Sequence, residues 1–299
     1  MEKTSYLAHV GQSGEVQALS RHLLQVSAIS ARLAAKIGME RAGELVGLTH
    51  DLGKYSRAFQ QYLQEQANNE AMAMEPDLSA KGSVDHSTAG AQIVWHSLNN
   101  LSTSQARHAA EFLALCIASH HSGLIDCVKP DGSDDLSRRL NKIDANTHRT
   151  EAWSNADAVV RERIETSLAD PELVLELTGA CERIRKKNSD KIIQPFQRGL
   201  LARILFSCLI DADRIDSTDF EKPIAARFRQ HSNYVPWSDL IGRLENHLMQ
   251  FPSEGSVNGL RRQVKLRGLK RVDWFWKLSI TAHNLMRMRR LVPIESLAQ

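Results

Sequence analysis

Leu48-Thr-His50-Asp51-Leu-Gly53-Lys54 is the stretch on which the reading of this chain turns. It closes a predicted helix, residues 40–49, with an imidazole and a carboxylate side by side. His50 and Asp51 can chelate one cation, and a carboxylate has a second oxygen with which to bridge to another. Gly53 is expected to take the left-handed backbone that stops a helix. A His-Asp pair alone occurs by chance in many proteins, but followed by Leu-Gly-Lys it is far more specific.

Working outward, eight of the twelve histidines fall within the first 121 residues. His22 lies four, seven and eleven residues before Val26, Ile29 and Leu33, so it shares the buried face of its helix, as a ligand or as a satisfied core histidine. His86, in Asp85-His-Ser-Thr-Ala-Gly90, stands at a predicted helix start followed by small residues that allow a neighbour close, with capping as the plain alternative. His120 and His121 end an apolar helix before Ser122-Gly123-Leu124, where both rings can converge on one ion unless they are merely a surface pair. Leu205-Phe-Ser-Cys-Leu-Ile-Asp211-Ala-Asp213-Arg214-Ile-Asp216 closes a strongly apolar helix with three acids, and burying them is costly without a cation, either Arg214 or a metal.

Apolar residues recur at helical spacing along most of the chain, with no convincing run of strict alternation. An all-α bundle is therefore expected, with helices near 14–37, 40–49, 56–66, 86–99, 104–121, 135–145, 150–166, 171–188, 195–213 and 236–250. Residues 68–84 and 126–135 read as loops, and a break at 251–258 ends a compact domain near residue 250. At 299 residues, 42% hydrophobic and 24% charged, the chain has one or two soluble domains. No apolar run approaches the roughly 20 residues that span a bilayer, so no membrane partner and a cytoplasmic location are expected. Cys116, Cys127, Cys181 and Cys208 show no paired spacing and read as reduced, mostly buried small hydrophobes.

The net charge of +3 averages two unlike parts, with residues 260–299 carrying about +8 and residues 1–259 about −5. An acidic domain of this kind should depend on bound cations, and on a partner to present any nucleic acid.

The motifs resemble the HD phosphohydrolase superfamily, and more closely the HD nuclease of type I CRISPR systems. The residues that carry this are Ala8-His9, Ala18-Leu-Ser-Arg-His22-Leu, Gly47-Leu-Thr-His50-Asp51-Leu-Gly-Lys54 running into Phe59-Gln-Gln-Tyr-Leu63, His86-Ser-x-x-Gly-Ala91, Ala118-Ser-His120-His121-Ser-Gly-Leu124 and Leu205-Phe-Ser-Cys-Leu-x-Asp-Ala-Asp213. The resemblance spans about residues 6–250. It implies an HD-domain helical bundle with a dinuclear metal site: His22, His50, Asp51 and Asp213 hold one divalent ion, and Asp51 bridges to a second completed by His86, His120 and His121. The ions are iron, manganese, nickel or cobalt, with magnesium a further option. Asp213 is preferred to Asp211 because the family's last acid follows Ala, and Asp211 points to another side of the helix. His9 matches the family's N-terminal pattern without standing out as a ligand.

The activity implied is metal-dependent cleavage of single-stranded DNA in CRISPR antiviral defence, with Asp51 and Lys54 in catalytic roles. Lys54 would neutralise charge developing on the phosphate, unless it forms a salt bridge to an acid. An HD phosphohydrolase acting on small nucleotides is the nearest rival, and an inactive remnant or recruitment module is a third reading. No Gly-x-x-x-x-Gly-Lys-Ser/Thr loop occurs, so a separate helicase subunit and the CRISPR surveillance complex (Cascade) are the expected partners, unless the helicase has been lost. The domains expected are 1–250 as HD nuclease, 251–264 as a linker remnant and 265–299 as a basic helical C-terminal tail. That tail resembles the C-terminus of an insertion-sequence transposase over Arg267–Leu291, and a native amphipathic helix is the alternative.

Overall fold

In a computed structural model of the chain, the residues described are 6–11, 14–71, 84–127, 129, 131–187 and 193–230, with isolated helical positions at 239, 241–243 and 246. The chain divides into two units, 1–230 and 231–299. All elements of the fold named here belong to the first. Most of the predicted helix 236–250, the linker and the basic tail lie outside the described residues.

The described chain is helical apart from one small hairpin. Strand β1 (Leu7–Val10) pairs antiparallel with β2 (Val16–Ala18), placing Leu7 opposite Ala18 and His9 opposite Gln17. The helix expected from residue 14 therefore begins only at Leu19. Strands of four and three residues are too short to show alternation, and it is their pairing that makes them strands.

Helix α1 (Leu19–Ala35) buries Leu19, His22, Leu23, Val26, Ser30 and Ala34, the stripe that helical periodicity places on one face. It packs along α2 (Glu40–Thr49). A 3-10 turn, Leu52–Tyr55, leads to α3 (Arg57–Ala71). The next pair is α4 (Ser87–Asn99) and α5 (Ser104–Ser119), the latter started by Thr103, whose side chain accepts from the Ala106 N–H. Then come α6 (Asp135–Leu140), α7 (Asp144–Thr147), α8 (Arg149–Asn155), α9 (Ala158–Ala169), α10 (Pro171–Lys187), α11 (Ile193–Glu221) and α12 (Pro223–Gln230).

Where one helix was expected over 150–166 there are two, because the extended Ala156–Asp157 junction docks on the 3-10 turn. Tyr55 donates its hydroxyl to Asp157 at 3.1 Å, and the Asn155 amide donates to the Tyr55 carbonyl at 3.1 Å. Residues 135–145 likewise divide into α6 and α7, and α12 carries no sequence expectation. The helix expected to end at Asp213 runs on to Glu221, so its three acids lie inside it. Helix α11 packs on α1, and Leu23, Leu45, Leu48, Leu113, Ile117, Leu205 and Leu209 are among the buried residues of the core. All four cysteines are free; Cys116 and Cys208 are buried, whereas Cys127 is exposed. Among the described residues no helix is long and apolar enough to cross a membrane.

Candidate metal centre

His22 enters the centre from the first turn of α1, and His50 and Asp51 from the end of α2. Gly53 does not take the left-handed backbone expected of it: the positive-φ glycines among the described residues are Gly14, Gly38, Gly123 and Gly132. The chain tightens into a 3-10 turn instead, and Gly53 is required there by a close approach. A Cβ on it would stand 2.4 Å from the His86 carbonyl oxygen, and its N–H donates to that oxygen at 3.2 Å. Gly90 is tighter still, since a Cβ there would stand 1.8 Å from the Thr49 carbonyl oxygen. These two glycines seat the start of α4, and with it His86, on the His-Asp turn. His120 and His121 arrive from the end of α5, and Asp213 from α11.

The structure brings the other six expected ligands together around Asp51, which is 2% exposed. One of its oxygens, Oδ2, faces His22 Nε2 at 3.5 Å and His50 Nε2 at 3.4 Å. Asp213 Oδ1 closes this side, 3.5 Å from His22 Nε2 and 3.8 Å from His50 Nε2. The other oxygen, Oδ1, faces His120 Nε2 at 3.2 Å, His86 Nε2 at 3.6 Å and His121 Nε2 at 3.7 Å. The ligand atoms within each of three groups, His22/His50/Asp51, His9/His22/Asp213 and Asp51/His86/His120/His121, lie within 4.8 Å of one another.

A protein-family model described as "Cas3, HD domain" matches residues 8–218, from the hairpin through the carboxyl-terminal part of α11. The chain belongs to the Cas3 HD domain family. That membership supports an HD-type hydrolase, a nuclease of CRISPR systems. No match is found among curated proteins.

The residues of this Cas3 HD domain fit divalent metal. His50, His86 and His120 donate Nδ1–H to the carbonyl oxygens of Gly47, Val84 and Ile117 at 2.9, 3.2 and 2.7 Å. In a neutral ring this leaves Nε2 as a lone pair; those of His50 and His120 face carboxylates, while that of His86 meets His121 Nε2 with Asp51 Oδ1 behind it. Burial pushes His86 down to about 3 and His120 down to about 4, so both rings are neutral near pH 7. Two acceptors set against each other call for a cation between them. Moreover, His22 Nε2 and His50 Nε2 are buried with no hydrogen-bond partner. Two ligands each about 2.1 Å from one ion stand roughly 3.0–3.4 Å apart, close to the spacings seen.

Asp51 itself is ionised: burial favours its neutral form, but Lys54 first and His50 next hold it well below the usual carboxylate range. Asp213 is also lowered, burial being outweighed chiefly by His50. Lys54, 5% exposed, gives its Nζ to Asp51 Oδ2 at 2.8 Å and to the Ala8 carbonyl at 3.3 Å. Of the two roles considered for Lys54, this geometry supports the salt bridge. Asp211 is exposed and takes no part, and among the described residues the acids of the centre face histidines and Lys54 rather than Arg214.

His9 lies beside the centre, its ring edge-on to His22 at 5.0 Å and its Nε2 3.3 Å from Ser217 Oγ. Its pKa is lowered to about 4, first by burial and then by Lys54. The sequence reading missed the part played by Asp216, which accepts from His22 Nδ1 at 2.7 Å. Its spacing of three from Asp213 was a signal, but one hidden by ending the helix at Asp213. Histidines 96, 108 and 148 stay outside the cluster, and His231, His247 and His283 lie outside the described residues.

Proposed function

We propose that this Cas3 HD domain cleaves single-stranded DNA by metal-dependent phosphodiester hydrolysis at a two-ion centre. The observation that carries the proposal is that the two oxygens of Asp51 face two different ligand sets, as a bridging carboxylate must. His22, His50, Asp51 and Asp213 hold one ion, and Asp51, His86, His120 and His121 hold the other. Divalent transition ions supply such a centre with Lewis acidity, which polarises a phosphodiester, lowers the pKa of a bound water and stabilises the departing oxygen.

The protein's own work is to hold and aim. Lys54 keeps Asp51 ionised and fixed, and the carbonyl-anchored Nδ1 atoms fix the ring orientations. His121, 51% exposed, marks the open side by which a DNA strand reaches the centre. A separate helicase subunit and the CRISPR surveillance complex would present that strand.

The test is a cleavage assay on single-stranded DNA and on mononucleotides with added Mn2+ or Ni2+. DNA cutting that is lost in His50→Ala, with mononucleotides poorly turned over, is the expected result. Undiminished cutting in His50→Ala overturns the proposal, and preferential turnover of mononucleotides moves it to the small-nucleotide class.

A further inference from the structure

The imidazoles of the centre are not all anchored alike. His50, His86 and His120 lean on neutral main-chain carbonyls. His22 gives its Nδ1–H to a carboxylate, Asp216 Oδ2, at 2.7 Å. The same oxygen accepts from Gln17 Nε2 in β2, also at 2.7 Å. Asp216 is 4% exposed and Gln17 is 4% exposed, so water does not compete for this chain of hydrogen bonds.

The orientation of Gln17 is set by its neighbour. Its Oε1 is buried without a hydrogen-bond partner, and turning the amide over would press that oxygen against the Asp216 carboxylate. Gln17 therefore acts as a donor. It takes one lone pair of Asp216 and leaves another for His22. A negative partner on Nδ1 holds one tautomer and makes the opposite nitrogen a better donor to a cation than a neutral carbonyl does.

The other side of Asp51 is built less firmly. His121 is half exposed and His86 15% exposed, with His120 the one wholly buried histidine there, whereas His22 and His50 are both wholly buried beside the 21% exposed Asp213. The two sides should thus differ in affinity.

We infer that Asp216, held by Gln17, is a positioning residue that makes His22 the strongest imidazole donor of the centre, so that the His22/His50/Asp51/Asp213 side takes up a divalent ion before the His86/His120/His121 side. The inference rests on the two-ion reading proposed above. It predicts stepwise filling, with the relay controlling the first step alone.

The test is titration of the metal-free full chain with Co2+, followed by calorimetry and by the visible absorption of the bound ion. Wild type is expected to bind in two steps, of which His121→Ala removes the weaker. Asp216→Asn keeps the shape but removes the charge; it should weaken the first step by about 10–100-fold, alter its Co2+ spectrum and leave the second step in place. Gln17→Leu should weaken the same step less, and it carries the test if Asp216→Asn does not fold by circular dichroism. Two ions bound with an unmoved first step in these variants overturns the inference while leaving the two-ion reading intact. Saturation of wild type at one ion overturns the two-ion reading, and the order of filling with it.

Discussion

The two sides of Asp51 are made from different kinds of structure. His22 lies on the buried face of the first turn of α1, and Asp213 inside α11, so their positions follow from helix-on-helix packing of α1, α2 and α11. His86, His120 and His121 sit at a helix start and a helix end, and their positions depend on how α4 and α5 terminate. On the first side only His50 sits at a helix end, whereas on the second all three histidines do. A core is stiff because its side chains interlock, whereas helix ends fray and rely on individual hydrogen bonds. The centre thus joins a rigid, enclosed half to a more open half at the side where a strand would enter.

The largest blow to this contrast is Asp51→Ala, which removes the group common to both sides. Cutting of single-stranded DNA should be lost, and the metal-free protein should lose about 3–5 kcal/mol of stability because Lys54 is left buried without its partner. Thermal unfolding and metal binding measured together check it, and a variant that still takes up ions on either side breaks the picture of Asp51 as the joint. Gly90→Ala comes next. The methyl group would drive into the Thr49 carbonyl, so α4 must shift from the His-Asp turn at a cost of about 1–3 kcal/mol or more. Binding on the His86 side should suffer while the His22 side keeps its ion, and equal damage to both would show that the two sides are one rigid unit.

The smallest effect is expected from Asp85→Ala. Asp85 accepts from the Thr88 N–H at 3.1 Å and its hydroxyl at 2.7 Å, and it pairs with Lys142, fixing the first turn of α4 beside His86. Its loss should cost about 1 kcal/mol, read as a lowered unfolding midpoint, with a modest weakening confined to the second binding step. A variant with unchanged midpoint would mean that Gly53 and Gly90 alone seat α4.

Much of the centre was legible because its chemistry is local. His50-Asp51 and His120-His121 are neighbours in the chain, and apolar periodicity puts His22 on the inward face of its helix. Less legible was what fastens these groups. The glycine of the His-Asp motif suggests a helix stop in sequence, yet its role is to admit the His86 backbone, a contact with no signature short of the fold. Asp216 was named among the acids of its segment, but its partner Gln17 is 199 residues away. The hairpin that supplies Gln17 was missed altogether because three- and four-residue strands have no measurable period.

By itself the sequence determined that the described chain is helical, which motifs bear the candidate ligands, and the family to which residues 8–218 belong, because periodicity and short motifs are properties of neighbouring residues. Tertiary structure decided how those groups divide between the two oxygens of Asp51, that Lys54 meets Asp51, and that Asp216 backs His22. Those are distances between groups on different elements, and packing, not spacing along the chain, sets them.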